Sequence, residues 1–237
     1  MCNMTTAGPI RNYSLKDMQA LNERIYGSNN RLFFDPLRIV ARIGRFGGRL
    51  HKAARCNDIN AIAFHLVMTF SWSLALANKL GADIENELWK RYPGACSHCG
   101  FGPCMCKLTK EGRETVIPLK IVAECPRTLD EFQAMFGKIY PNNNALAESG
   151  HLIEELCEVL EAIDNLTGTS RQEFLADSVE ELCDVLAHLF GVATCSKISL
   201  AEHMEKHFAD GCCKCHLVPC QCMFPATTTV SPREKSG

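Results

Sequence analysis

The chain has 237 residues, 46% of them hydrophobic, enough apolar material for one large core or two ordinary ones. A formal charge of −2 exerts no long-range pull on a polyanion and speaks against duplex nucleic acid as a partner. The opening MCNMTTAGPIRNY lacks a basic-then-apolar signal pattern, and no apolar run reaches the roughly 18–20 residues of a membrane span, so a soluble, cytoplasmic protein without membrane attachment is expected.

In chain order, SLKDMQALNERIYGSNN from Ser14 opens the first unit, and helical segments follow over Pro36–Arg55 and Ala61–Leu80, broken at Asn57-Asp58. IENELWKRYPGA from Ile84 leads into CSHCGFGPCMC, whose cysteines are Cys96, Cys99, Cys104 and Cys106. The linker 107–127 contains TVIPLKIVAEC, rich in β-branched residues and read as a short strand or an extended segment.

From Thr128 the text resumes: TLDEFQAMFGKIYPNNN shares Leu, Gln-Ala, Ile-Tyr and Asn-Asn with the segment from Ser14. Apolar stripes at helical spacing follow, first Leu152, Leu156, Val159, Leu160 and Ile163, then Leu182, Leu186, Leu189, Phe190 and Ala193. DNLTGTSRQEF between them reads as a helix stop and a new cap, which predicts a helical hairpin. LAEHMEKHFADG from Leu200 matches the length of the segment from Ile84 and leads into CCKCHLVPCQC, with Cys212, Cys215, Cys220 and Cys222 at the same spacing. The tail 223–237 has a composition expected of disorder.

The chain therefore reads as one unit written twice, over 14–106 and 128–222. Two copies are too few for a solenoid, and a pseudo-symmetric pair in which each covers the other's apolar face is the expectation. Each C-x2-C-x4-C-x-C group offers four thiolates, enough for one tetrahedral Zn²⁺, so two structural zinc ions per chain are expected. An ion shared between the groups, an iron–sulfur cluster or unligated thiols remain alternatives. Cys213 is an extra thiol, and Cys157 and Cys183 read as core residues.

The second copy alone carries a full acidic set. HLIEELCEVLEAI gives Glu154, Glu155 and Glu158, and EELCDVLAHLF gives Glu181 and Asp184. Residues three apart share a helix face, so folding the hairpin brings Glu155, Glu158, Glu181 and Asp184 toward one another. Four converging anions repel unless a cation sits among them, and oxygen ligands suit a hard ion such as Mg²⁺. The alternative is two solvated, charged helix faces.

This E-E-x-x-E…E-x-x-D pattern resembles the MazG-like all-α nucleoside triphosphate pyrophosphatases. The resemblance covers about one copy and matches every acidic position, with Val185-Leu186-Ala187 after the last acid. It implies an all-α fold of two tandem MazG-like helical-bundle repeats packed as a pseudo-dimer, each closed by a cysteine staple. It also implies Mg²⁺-dependent hydrolysis of a nucleoside triphosphate between its α and β phosphates. By position, Glu155, Glu158, Glu181 and Asp184 would be the metal ligands, with Glu154 orienting water or supporting the ligands.

In the first copy, alignment on the cysteines places His65 and Met68 opposite Glu181 and Asp184, and matching Leu50 with Leu156 places Gly48, Arg49 and Lys52 opposite Glu154, Glu155 and Glu158. No second metal site is expected there. Arg49, Lys52 and His188 are weak candidates for contacting substrate phosphates, against the simpler reading as surface charges. Phe70, Trp72 and Trp89 could stack on a base, though core positions are the commoner explanation. The competing function is a zinc-stapled nucleotide-binding or scaffold protein without activity. Relatives acting on dUTP, dCTP or a phosphoribosyl nucleotide leave base choice open, and association into further homo-dimers is a possibility the family also carries.

Overall fold

The structure is a computed structural model, and it describes residues 10–106, 124–141, 143–169 and 172–222. Among these it is all-helical, with eight α-helices, a short 3-10 turn at Ile10–Asn12 and no strand. The first four are α1 (Leu15–Phe33), α2 (Pro36–Arg55), α3 (Ile59–Leu80) and α4 (Ile84–Arg91), followed by the first cysteine group. The second four are α5 (Leu129–Ile139), α6 (Ala145–Thr169), α7 (Gln172–Cys195) and α8 (Leu200–Phe208), followed by the second.

Local chemistry sets the boundaries. Ser14 and Asp17 form a reciprocal capping box at α1. Asp35 caps α2 with Pro36 in its first turn, and Asp58, Asp83, Thr128 and Ser199 cap α3, α4, α5 and α8. Gly81 ends α3 in the left-handed region at φ 71°, which a side chain rarely adopts.

Burial sets the assembly. The α2–α3 and α6–α7 hairpins pack side by side, α2 on α6 and α3 on α7. Gly47 lies where α2 meets Leu156 of α6, and a Cβ there would stand 2.7 Å from the leucine Cδ1, so a larger residue would oblige that side chain to shift. At the centre Phe190 stacks on Phe132 and Phe136, with centroids 6.1 and 5.3 Å away, and meets the edge of Phe70 at 5.8 Å. α3 is long and apolar enough to cross a membrane by composition, but 67% of its apolar window is buried inside the bundle, as befits a core helix.

The shared sequence letters occupy matching places. Gln19 donates to the carbonyl of Ala82 and accepts from the N–H of Ile84, bracing the α3–α4 junction. Gln133 does the same at the α7–α8 junction with Ile198 and Leu200. The cysteine groups reach across: Cys104 N–H donates to Ile139 at the end of α5, and Cys220 N–H donates to Ile25 in α1, each at 2.7 Å. α4 likewise lies on α7, and α8 on α3.

Several expectations need correction. α6 continues through Asn165–Gly168 to Thr169, where a stop was expected, because helix propensity costs of about 1 kcal/mol for Gly are small beside a long packed face. Leu160 is 46% exposed and lies off the buried stripe, and Cys157 is exposed while Cys183 is buried. The expected strand in 115–125 falls largely, and the tail 223–237 wholly, outside the described residues.

Candidate metal centres

The α6–α7 hairpin brings the predicted acids together. Glu155, Glu181 and Asp184 each present an oxygen within 4.8 Å of the others, and Glu158 interacts with both Glu155 and Glu181. Burial, followed by the charges of Asp184 and Glu158, raises the Glu181 carboxyl from 4.5 to about 7. Glu158 is raised by burial and by Glu155. Groups in this state favour a bound proton, or a cation in its place. Glu154 faces away from the cluster: its side chain is 70% exposed and bonds to His151 at 2.8 Å.

Two residues from the first half complete the site. Arg91, at the end of α4, donates to both carboxylate oxygens of Asp184, with Nη2 to Oδ2 at 2.6 Å, and reaches Glu180 through Nη1 at 2.9 Å. Burial opposes its charge, but Asp184 outweighs this and keeps the guanidinium protonated. The Tyr92 hydroxyl donates to Asp184 Oδ1 at 2.6 Å. Sequence reasoning missed both, since they lie in the half without acids; the only available signal was an Arg-Tyr pair in the segment that aligns with His207-Phe208.

On the other side His188 is clamped rather than free on the surface. Its Nδ1 is 2.9 Å from Glu148 Oε2, and its Nε2 is 3.6 Å from Glu155 Oε1. Burial disfavours the imidazolium, but the two carboxylates prevail and raise it to about 9. Glu148, with a side chain 3% exposed, also accepts from Asn143. This buried glutamate was not singled out by the sequence either. Arg49 and Lys52 are exposed on α2; the charge of Arg49 bears on His65 of α3, whose basicity is lowered by burial first and by Arg49 second.

The cysteines form two closed sets. In the first, Cys96–Cys106 and Cys99–Cys104 sulfurs are 3.7 and 3.9 Å apart; in the second, Cys212–Cys222 and Cys215–Cys220 are 3.8 and 3.9 Å apart. A tetrahedral ion with Zn–S bonds of about 2.3 Å needs sulfurs roughly 3.8 Å apart. Each set can therefore hold its own zinc-like ion, with no need to share. Backbone N–H groups of Gln221 and Leu217 help bring Cys215 down to about 6, and in Cys99 burial is outweighed by Met105 and Phe101 N–H groups, giving about 7.

Phe70 is fully buried, so base stacking by it is excluded, while Trp72 and Trp89 are partly exposed. A cavity of about 490 Å³ opens beside the acidic site between α4 and α7, lined by Arg91, Glu180 and Cys183. Comparison with family models, curated proteins and solved structures finds no match.

Proposed function

We propose that this protein is a Mg²⁺-dependent nucleoside triphosphate pyrophosphohydrolase, producing a nucleoside monophosphate and pyrophosphate. The observation that carries it is the approach of Glu155, Glu181 and Asp184 at the α6–α7 hairpin, with Glu158 beside them and Glu181 raised to about 7 by burial and by the charges of Asp184 and Glu158. A divalent cation held there would polarise the attacking water and neutralise phosphate charge.

The chain's own groups do the positioning. Arg91 and Tyr92 fix Asp184, and the His188–Glu148 pair fixes Glu155. In the reaction the water oxygen bonds to the α-phosphorus, the bond to the bridging oxygen breaks, pyrophosphate leaves and the water proton passes to solvent. The two halves, 14–106 and 128–222, are read as tandem copies forming an internal dimer, a reading supported by the reciprocal Cys104–Ile139 and Cys220–Ile25 bonds. Zinc in the cysteine sets would staple the halves.

Pyrophosphate release from a panel of NTPs and dNTPs with Mg²⁺ tests this. Turnover that vanishes in Glu158→Ala and Glu181→Gln is expected; no turnover by the wild type, or turnover unaffected by both changes, refutes it. One observation favours the inactive binding-protein reading: Arg91 already neutralises Asp184. The same assay decides between them.

A further inference from the structure

A cavity of about 350 Å³ lies between α1, α2 and α3 of the first half and α8 and the second cysteine group of the second. Its size falls within the range of small-molecule sites. Its position matches the acidic centre. In the sequence registers used above, Trp72 stands opposite His188, Phe208 opposite Tyr92, and Arg42 opposite Glu148. The exchange of Glu148 for Arg42 inverts the charge at that place, and the other two replace polar side chains with apolar rings.

Besides Cys212, Cys213, Cys220 and Cys222 of the second cysteine group, the lining has three kinds of group. Trp72, Phe46 and Phe208 provide flat apolar walls, with Trp72 held by the edge of Phe34 at 5.1 Å. Arg42, Arg45 and Lys214 provide positive charge. Asn22 and Asn30, only 5% and 6% exposed, provide hydrogen-bonding atoms that the protein does not use. Asn22 donates to the carbonyl and hydroxyl of Ser71, which leaves its Oδ1 unpartnered, and Asn30 Nδ2 is unpartnered too.

Buried donors and acceptors without partners are rare because they forfeit their hydrogen bonds to water, and here one acceptor and one donor lie buried in two residues that line the same cavity. A flat ring joined to an anionic group fits the aromatic walls and the arginines, and rotation of the two asparagine side chains would bring their unused donor and acceptor to its edge. We infer that this cavity binds a nucleotide, the base between Trp72 and the asparagines and the phosphate toward Arg42 and Arg45. The site uses none of the acidic residues and stands apart from the hydrolytic reading.

The test uses the full-length zinc-loaded chain carrying Trp89→Phe, so that Trp72 is the sole tryptophan. It is titrated without Mg²⁺ against nucleoside mono- and triphosphates, free nucleosides and inorganic phosphate. Saturable quenching by nucleotides is expected, weakened about tenfold by Arg42→Gln or Arg45→Gln and by Asn30→Leu, and unchanged by Glu181→Gln. No saturable response to any nucleotide, equal affinity for phosphate alone, or a response indifferent to both arginine substitutions overturns the assignment. Circular dichroism and zinc content identify any variant that has not folded, and the remaining single variants then decide.

Discussion

Arg91 holds Asp184 through two nitrogens across the boundary between the halves, and the side chain of Asp184 is only 13% exposed. The half that lacks the acids therefore determines how one of them is aimed. Arg91→Lys replaces a planar fork with a point charge and cannot make the paired contact. We expect kcat/KM for pyrophosphate release to fall about tenfold in Arg91→Lys and more in Arg91→Ala, corresponding to about 1.4 kcal/mol or more of transition-state stabilisation. Unchanged kinetics would mean that Asp184 keeps its orientation unaided.

Burial of Glu181 beside Asp184 and Glu158 links stability to pH when no divalent ion is present. Its folded-state value of about 7 lies above the ordinary 4.5, so between these values the folded chain holds a proton that the unfolded chain has released. Metal-free stability should accordingly be highest below pH 4.5 for this contribution and decline up to about pH 7. Denaturant melts of wild type and Glu181→Gln across that window isolate this contribution: the slope should be shallower in the variant, which keeps that of Glu158. Mg²⁺ at pH 7.5 should raise the wild-type midpoint and leave the variant nearly unmoved.

Each cysteine set stabilises a helix in the opposite half. Cys222→Ser should remove one zinc equivalent and, by loosening the Cys220–Ile25 bond, speed hydrogen exchange in α1. Cys106→Ser should do so in α5. Mass spectrometry that located the increase only in α8 or α4, next to the altered set, would contradict the crossed attachment.

Gly191 borders the buried carboxylate of Glu148, and a methyl group there would collide with it. Gly191→Ala should displace Glu148, leave His188 with Glu155 alone and reduce stability by about 1–3 kcal/mol. Chemical denaturation measures this, and nuclear magnetic resonance of the imidazole should show His188 titrating below its native value of about 9.

What the sequence disclosed was whatever depends on near neighbours. Asp58 and Asn57 marked the α2–α3 break, and three-residue spacing paired Glu155 with Glu158 and Glu181 with Asp184. The C-x2-C-x4-C-x-C spacing was enough to collect four sulfurs. Hidden were groups that act over long separations or under burial. Arg91 and Tyr92 come from far up the chain, and Glu148 looks like any helix-face acid until its 2% exposure is seen. Trp72 and the two asparagines come to line one cavity only where α1, α2, α3 and the distant cysteine group meet.

The exchange of hydrogen bonds between Cys104 and Ile139, and between Cys220 and Ile25, makes the two halves mutually dependent. Either half produced alone would lack the strap that fastens its first helix and would expose the faces that α2 and α3 turn toward α6 and α7. Separated fragments should therefore be poorly soluble singly and recover their structure when mixed, much as the strands of a zipper have shape only when meshed.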